Sequence, residues 1–246
     1  MVSFIIVEYN SITELENCVN SIISYPPFGD KIEIVVSSNS CYDRERQMQL
    51  LIEYPNLTWV FNESNGGFAY AMNRGLIVAR GDFLVIMNPD VRLNTGIDKM
   101  SDYMHKHDTI GIIAPKIINV KGEVQDSFRD FITPMNFVER HMKRILGYKQ
   151  RNELTEFPIN VDWVIGAFMM ISRKAYETVR GLDEHYFLYC EDMDLCKRMH
   201  LKGYDVVYYP MVEIEYEGTR SARRSLKYAG IFLQSLFRYW RKFGIW

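Results

Sequence analysis

Strand-like and helix-like segments alternate through the first 110 residues, and this alternation restricts the fold more than any other feature of the sequence. Runs rich in β-branched and aromatic residues predict four strands, at 2–7, 32–36, 57–61 and 83–87. Apolar residues at helical spacing predict helices between them, at 12–23, 43–54 and 68–79. Because strands separated by helices pair in parallel through right-handed crossovers, we predict an α/β fold with a Rossmann-like, mostly parallel sheet flanked by helices.

The rest of the chain has a less regular pattern. Residues 161–172 predict a later strand. Within the regular part, Ser11 and Glu14 predict a capping box at the start of the first helix. The sequence contains no internal repeat and no low-complexity linker, so we predict one domain over residues 1–246. Its predicted parts are a regular half at 1–110, a less regular half at 111–221 and a tail at 222–246.

The predicted sheet would place a group of polar side chains along one edge. Ligands of such sheets bind beyond the carboxyl ends of the strands. That edge would carry Tyr9, Asn10, Ser37, the 62–67 loop and the 88–90 turn. Asn88-Pro89-Asp90 follows a hydrophobic strand and is good turn chemistry in its own right. In the functional interpretation, Asp90 projects from the strand end and binds a divalent cation that neutralises a diphosphate.

Three acidic residues, Glu191, Asp192 and Asp194, open a predicted helix. Acidic side chains are favourable at the positive end of a helix, which is one explanation. The other explanation is a general base, because a partly buried carboxylate beside other carboxylates has a raised pKa.

Several function classes are excluded by absent features. No GxGxxG follows the first strand and no GxxxxGK[ST] occurs, which argues against a dinucleotide oxidoreductase and a P-loop NTPase. A nucleotidyltransferase is disfavoured because no Gly-rich loop follows the first strand. The net charge of −2 gives no reason to expect a nucleic-acid partner. Four cysteines without CxxC spacing favour reduced thiols in the cytoplasm.

The tail is basic. Residues 219–246 contain seven basic residues and no acidic one. Helical spacing places six apolar residues on one stripe, namely Ala229, Phe232, Leu233, Leu236, Trp240 and Phe243. Arg238, Arg241 and Lys242 fall on the opposite side. Such a basic amphipathic helix is typical of a membrane-surface element, and it is equally typical of a terminal helix that packs its apolar stripe on the core.

Four motifs occur in order, at 65–75, 87–91, 162–170 and 181–198. Together they resemble the family-2 glycosyltransferases of the GT-A fold, in particular the rhamnosyltransferase-like branch that builds bacterial surface polysaccharide. This resemblance covers almost the whole chain. It implies a nucleotide-binding half at 1–110, a catalytic and acceptor half at 111–221 and a basic amphipathic C-terminal helix at 222–246.

The resemblance also implies roles for individual residues. Asp192 takes the position of the catalytic base, with Glu191 beside it, and Asp90 takes the place of the metal-binding and diphosphate-binding carboxylate. The other residues implied to bind the donor are Tyr9, Asn10, Ser37, Asn65, Gly66, Gly67, Asn73, Asn88, Gly166, Ala167 and Arg220. The implied metal is Mg²⁺ or Mn²⁺.

The implied activity is inverting transfer of a sugar from a nucleotide-diphosphate donor to a glycan or lipid-linked saccharide. The resemblance favours dTDP-rhamnose as the donor, with a UDP-hexose next. The implied location is the cytoplasm, with the tail placing the protein at the inner face of the plasma membrane. The alternative is a catalytically impaired GT-A protein that binds a nucleotide or a glycan.

Two positions depart from the family pattern. The family usually has Asp where Ser37 stands at the end of the second strand, so a charge-assisted contact with the nucleoside is lost. Many relatives have a His metal ligand where Tyr216 stands. Either the metal keeps fewer protein ligands, or basic residues from Arg220 onward neutralise part of the diphosphate charge.

Overall fold

The computed structural model describes residues 1–25, 31–145, 155–218 and 225–244. The strands, in chain order, are β1 (Val2–Glu8), β2 (Ile32–Ser38), β3 (Thr58–Phe61), β4 (Phe83–Met87), β5 (Val91–Leu93), β6 (Ile110–Ile118), β7 (Phe128–Arg129), β8 (Ile159–Asn160), β9 (Trp163–Val164), β10 (Phe168–Ser172) and β11 (Asp205–Tyr216). The helices are α1 (Ile12–Ser24), α2 (Arg44–Glu53), α3 (Phe68–Val78), α4 (Asp98–Lys106), α5 (Pro134–Ile145), α6 (Arg173–Val179), α7 (Glu191–Leu201) and α8 (Leu226–Phe243).

Within the described residues, nine strands form one mixed sheet in the order β3-β2-β1-β4-β10-β6-β11-β5, with β8 paired to β11. The strands β1 to β4 pair in parallel, which confirms the prediction for the first half. The strand β10 runs antiparallel between β4 and β6, and β11 lies parallel to β6. The carboxyl ends of β1, β2, β4 and β11 therefore meet the amino end of β10 along one edge, which we call the carboxyl edge.

Helices cover both faces of the sheet. One apolar core lies between the sheet and α3, α6, α7 and α8, and the other lies between the sheet and α1 and α4. Gly75 allows α3 to approach β1 closely, because a Cβ at this position would lie 2.6 Å from the Ile5 side chain. Burial on both faces explains why β4 is a continuous apolar run rather than an alternating pattern.

Two predicted local features are wrong. Ser11 precedes α1, but its side chain makes no capping hydrogen bond, and its backbone N–H donates to the Glu8 carboxylate at 2.9 Å. The buried carboxylate thus takes the place of the capping box. The predicted strand at 161–172 is divided into β9 and β10. The chain leaves the strand between them because the Gly166 N–H turns to the side chain of Asp192 in α7.

The helix α8 confirms the predicted terminal helix, and most of the predicted apolar stripe lies on the core, with Leu236 buried and Phe232, Trp240 and Phe243 packed against it. Its fully buried side chains are Ser235, Leu236 and Tyr239. Leu233, expected on the buried stripe, is 43% exposed. Lys242, expected on the solvent side, donates to the buried Asp194, so the sequence pattern missed a cation that points inward to an acid. Among the described helices, none is both long enough and apolar enough to cross a membrane.

Candidate functional site

Hydrogen bonds from backbone N–H groups bring the turn at 88–90, after β4, beside residues 165–167 and α7. The Asn88 N–H donates to the Ala167 oxygen at 3.0 Å, and the Gly166 N–H donates to Asp192 Oδ2 at 3.0 Å. The strand β5, which follows the turn at 88–90, pairs with the end of β11. These elements surround one space at the carboxyl edge, which we call the crevice.

Asp192 is held at the crevice by two backbone donors. The Gly166 N–H donates to Oδ2, and the Met193 N–H donates to Oδ1 at 2.8 Å. A Cβ at position 166 would lie 3.1 Å from the Asp192 Cβ, so glycine permits this close approach. Burial raises the pKa of Asp192, while the two backbone donors and the charge of Arg129 oppose the rise. A fixed carboxylate with a raised pKa is suited to accept a proton.

Glu191 lies beside Asp192 in a different environment. Its side chain is buried, and within the described part of the chain its Oε2 has no hydrogen-bond partner. Burial and the charge of Asp192 raise the pKa of Glu191 to about 8. Burial and the neighbouring charge therefore favour the protonated form of Glu191, whereas the two backbone donors favour the charged form of Asp192. Two neighbouring carboxyl groups with different pKa values can be assigned as acid and base in this way.

Asp90 and Tyr216 are brought together by the pairing of β5 with β11, in which Tyr216 lies opposite Val91, the residue after Asp90. The Asp90 side chain is exposed on the turn after β4, and partial desolvation and the charge of Glu14 raise its pKa. Burial raises the pKa of Tyr216 to about 12, together with the charges of Asp90 and Asp192. The Tyr216 hydroxyl is therefore protonated at neutral pH and can act as a hydrogen-bond donor.

A hydrogen-bond network surrounds Glu8, the last residue of β1, at the carboxyl edge. Glu8 is fully buried, and its carboxylate accepts from the hydroxyl groups of Ser38 at 2.5 Å, Ser40 at 2.9 Å and Tyr42 at 3.1 Å. The Ser11 N–H is a fourth donor. We call these five residues the Glu8 network. All four donors are neutral, and they hold the loops after β1 and β2 together.

A chain of amide side chains continues from this network across the ends of β2 and β3. The Asn62 Nδ2 donates to Ser37 Oγ and to Asn39 Oδ1, both at 3.0 Å. The Asn39 Nδ2 donates to Asn65 Oδ1 at 3.1 Å, and this oxygen also accepts from the Gly67 N–H at 3.0 Å. Ser37 is fully buried and serves as an acceptor inside the chain of amides. Its direct contact with a nucleotide stays a prediction.

Tyr9 and Asn10 are the exposed residues of this side. The Tyr9 side chain is 54% exposed, so its ring is free to contact a ligand. Asn10 has a left-handed φ of 51°, and its N–H donates to Ser40 Oγ at 2.7 Å. The Glu8 network therefore fixes the backbone that presents both side chains.

The turn at 65–67 packs against the segment that leads into α7. Gly67 has a φ of 95°, and a Cβ there would lie 2.2 Å from the Phe187 oxygen. The same oxygen accepts from the Phe68 N–H at 2.9 Å. A Cβ at Gly66 would lie 2.6 Å from the Tyr70 ring. Contacts within the protein thus favour glycine at both positions, independently of any ligand.

Asn73 makes its side-chain hydrogen bonds with α6 and the segment after it. Asn73 Oδ1 accepts from the Leu182 N–H and the Tyr176 hydroxyl, both at 3.0 Å. Its Nδ2 donates to the Leu182 oxygen at 2.9 Å and to Glu184 at 2.8 Å. Asn73 therefore ties α3 to the segment after α6, and its contact with a nucleotide stays a prediction. Arg220 lies outside the described residues.

Comparison with protein families decides the assignment. The model of glycosyl transferase family 2 matches residues 3–180, more than half of the chain. The chain belongs to glycosyl transferase family 2. This confirms the resemblance and the predicted glycosyltransferase.

Two relatives of this glycosyltransferase are rhamnosyltransferases. It is 28% identical over 218 residues to the N-acetylglucosaminyl-diphospho-decaprenol L-rhamnosyltransferase of Mycobacterium tuberculosis, over 78% of this chain and 69% of that protein. It is 26% identical over 221 residues to the rhamnosyltransferase WbbL of Escherichia coli strain K12, over 84% of this chain and 81% of that protein.

The fold agrees with a solved GT-A glycosyltransferase. The crystal structure of GalNAc-T7 with UDP, GalNAc and Mn²⁺ superimposes with a TM-score of 0.66 at 17% sequence identity. The match covers 88% of this chain and 43% of that protein, so our glycosyltransferase spans less than half of its length. The predicted GT-A fold is confirmed.

The donor set at Asp90 fits a divalent cation that is bound together with substrate. No group of three or more His, Cys, Asp or Glu side chains within the described ranges is arranged to hold a metal. Mg²⁺ is usually bound by one or two carboxylates, with water and substrate phosphates as the other ligands. The exposed carboxylate of Asp90 supplies one such ligand.

Sequence analysis missed Glu8 and Arg129. Glu8 carries a signal that could have been used, since it is an acidic residue directly after a run of strand residues at the carboxyl edge. Arg129 carries none, because it reaches the Asp192 environment only through the pairing of β7 with β9, in which it lies opposite Trp163.

Proposed function

We propose that this glycosyltransferase moves L-rhamnose from dTDP-rhamnose to a lipid-linked saccharide at the inner face of the plasma membrane, with inversion at the anomeric carbon. The observation that carries the proposal is Asp192, held by two backbone donors beside the protonated Glu191. The names of the two relatives support rhamnose as the sugar, and the name of the mycobacterial relative supports an acceptor on a lipid diphosphate.

In the proposed reaction, Asp192 removes the proton from an acceptor hydroxyl. The hydroxyl oxygen forms a bond to the anomeric carbon of the donor as the bond from that carbon to the diphosphate breaks. Attack from the face opposite the diphosphate inverts the anomeric centre. The Gly166 N–H and the Met193 N–H keep the carboxylate oriented, and the protonated Glu191 does not compete for the proton.

On the leaving-group side, Asp90 would hold Mg²⁺ or Mn²⁺, and the bound ion would stabilise the charge that develops on the diphosphate. The Tyr216 hydroxyl lies beside Asp90 and donates a hydrogen bond to a diphosphate oxygen in this proposal. A fixed neutral donor at the position where charge develops lowers the barrier without adding another negative charge to the crevice.

Nucleotide binding tests the proposal first. We expect dTDP with Mn²⁺, at a hundredfold excess over its Kd, to raise the Tm by about 5–10 °C, since such binding adds about 2.7 kcal/mol. Asp90→Asn should lose the metal-dependent part of the shift, whereas Asp108→Asn, an exposed acid in the turn before β6, should keep it. A shift with UDP alone would favour a UDP-hexose donor. No shift with dTDP, UDP, GDP or CMP would favour the catalytically impaired alternative.

We also propose that α5 and α8 together bind an anionic bilayer. The two helices contact each other through Phe137, whose ring lies 6.4 Å from Phe232 and 5.8 Å from Trp240. The large apolar side chains that these helices expose are Met135, Val138, Met142, Leu226, Leu233 and Phe237. The exposed cations on α8 are Lys227, Arg238, Arg241 and Lys242, and Lys242 is paired with Asp183 and Asp194. Apolar side chains flanked by cations match the chemistry of an anionic lipid surface.

Vesicle binding tests this surface. Phe237 is 65% exposed, and Phe237→Asp should weaken binding to phosphatidylglycerol-containing vesicles about tenfold or more, because it removes one large apolar contact. Ile52→Asp is the matched control, since Ile52 is 75% exposed on α2. Equal vesicle binding by wild type and Phe237→Asp would leave α8 with the single role of packing on the core.

A further inference from the structure

The cation of Lys242 connects the terminal helix to two acids on either side of the turn into α7. Its Nζ donates to Asp183 Oδ2 at 2.7 Å and to Asp194 Oδ1 at 2.6 Å. Asp194 is fully buried on α7, and its other oxygen accepts from Arg198 Nε at 2.6 Å. One side chain of α8 thus joins the segment at 181–190 to the helix that carries Asp192.

The segment at 181–190 depends on such long-range contacts. Tyr189 and Cys190 both have left-handed φ angles, of 70° and 65°, directly before α7. Non-glycine residues keep this conformation only where the surrounding structure holds them. The Ser235 hydroxyl of α8 donates to the Leu188 oxygen at 2.8 Å, which is a second anchor from the same helix.

The charges around Asp194 indicate what Lys242 adds to the contribution of Arg198. The Arg198 guanidinium already faces Asp194, and its Nη1 donates to the oxygens of Val179 and Gly181 at 2.7 Å. Asp194 would therefore keep one partner without Lys242, whereas Asp183 and Asp194 would face each other with one cation fewer. Repulsion between two acids would then act on the segment just before Asp192.

We propose that Lys242 is a positioning residue that fixes the segment at 181–190 and the first turn of α7, within the half that the resemblance assigns to catalysis and the acceptor, and so makes the position of Asp192 depend on the seating of α8. The inference rests on the proposed transferase function for its kinetic consequences. Its structural consequence, the anchoring of the segment, does not require that function. Lys242 itself does not contact substrate in this proposal.

Kinetics and hydrogen exchange of three variants test the proposal. Lys242→Met removes the charge, Lys242→Arg keeps it, and Lys106→Met removes an exposed lysine at the end of α4 as a matched control. The probes are dTDP-rhamnose and a short-chain polyprenyl-diphospho-N-acetylglucosamine in detergent. For Lys242→Met we expect kcat over acceptor KM to fall about tenfold with the donor KM unchanged, because a small displacement of the catalytic geometry has this cost.

Hydrogen exchange gives a readout that is independent of activity. In Lys242→Met, amides in 181–194 should exchange about fivefold faster or more, while those of β1 and β4 stay unchanged. Lys242→Arg should restore most of the kinetics and the protection, and Lys106→Met should behave as wild type. Unchanged exchange in 181–194 would overturn the proposal, as would equal losses for donor and acceptor without rescue by arginine. If wild type transfers no sugar, the proposed function fails, and faster exchange confined to 181–194 still supports the anchoring.

Discussion

The Glu8 network and the first turn of α7 both place carboxyl groups at the carboxyl edge, but the two regions hold them differently. Glu8 accepts from four neutral donors, all within residues 11–42. Glu191 keeps a buried oxygen without a partner among the described residues, and the turn before it has two left-handed residues. The Glu8 carboxylate finds its hydrogen-bond donors within its own region, whereas the turn before α7 is held by contacts from distant parts of the chain.

This difference separates a scaffold from a reaction centre. A buried carboxylate whose oxygens accept from several donors is held in place by them. A carboxyl group that is buried without such partners has a perturbed pKa, which is typical of catalytic sites. We therefore propose that the Glu8 network shapes the part of the crevice next to β1 and β2, and that Asp192, beside Glu191, takes part in proton transfer.

The largest expected effect comes from the carboxylate that takes the proton. Asp192→Asn should lower kcat about 10²- to 10⁴-fold, the usual contribution of a general base, with the nucleotide-induced Tm shift unchanged. Glu191→Gln should lower kcat by no more than about threefold, because Glu191 is already protonated at neutral pH. Asp108→Asn is the control for loss of an acid. Equal losses in Asp192→Asn and Glu191→Gln would contradict the assignment of separate roles to the two residues.

The sequence predicted those parts of the fold that depend on local patterns. The alternation of strands and helices through β4 is local, because each element is specified by its own periodicity. The antiparallel insertion of β10 between β4 and β6 is not local, because pairing partners far apart in the chain decide it. The contact of Lys242 with the buried Asp194 was also missed, since an apolar periodicity carries no signal for a lysine that reaches a buried acid.

The residues of the candidate site also divide into those that the sequence predicted and those that it did not. Motifs at known spacing predicted Asp90, Gly166 and Asp192, and the structure places all three around one crevice. Glu8 accepts from Ser38, thirty positions away, and that partnership exists only after β1 and β2 pair. Sequence analysis therefore found the residues that belong to motifs and missed those whose function depends on partners brought in by the sheet.

A stability measurement on the Glu8 network sharpens the comparison. Glu8→Ala should lower the free energy of unfolding by roughly 2–4 kcal/mol, because it leaves the buried Ser38 hydroxyl and three half-buried donors without this acceptor. That corresponds to about 6–12 °C in Tm for a chain of this length. The control is Glu156→Ala, at an exposed glutamate. A Tm like that of wild type would show that the Glu8 network is not the scaffold of this side.

The smallest expected effect is a pH dependence that belongs to the catalytic side. The ordinary pKa of glutamate is 4.5, and burial and Asp192 raise the pKa of Glu191 to about 8. As the pH rises through this window, the unfolded chain has released the proton and the folded chain still holds it, so the contribution of Glu191 to stability falls. Glutamine does not ionise, so the Tm of Glu191→Gln should rise relative to wild type between pH 5 and pH 8. The expected change is on the order of 2 kcal/mol, or about 4–8 °C. Glu156→Gln should show no such trend. Parallel Tm curves for Glu191→Gln and wild type would mean that Glu191 is charged in the folded protein. That result would remove the distinction between Glu191 and Asp192.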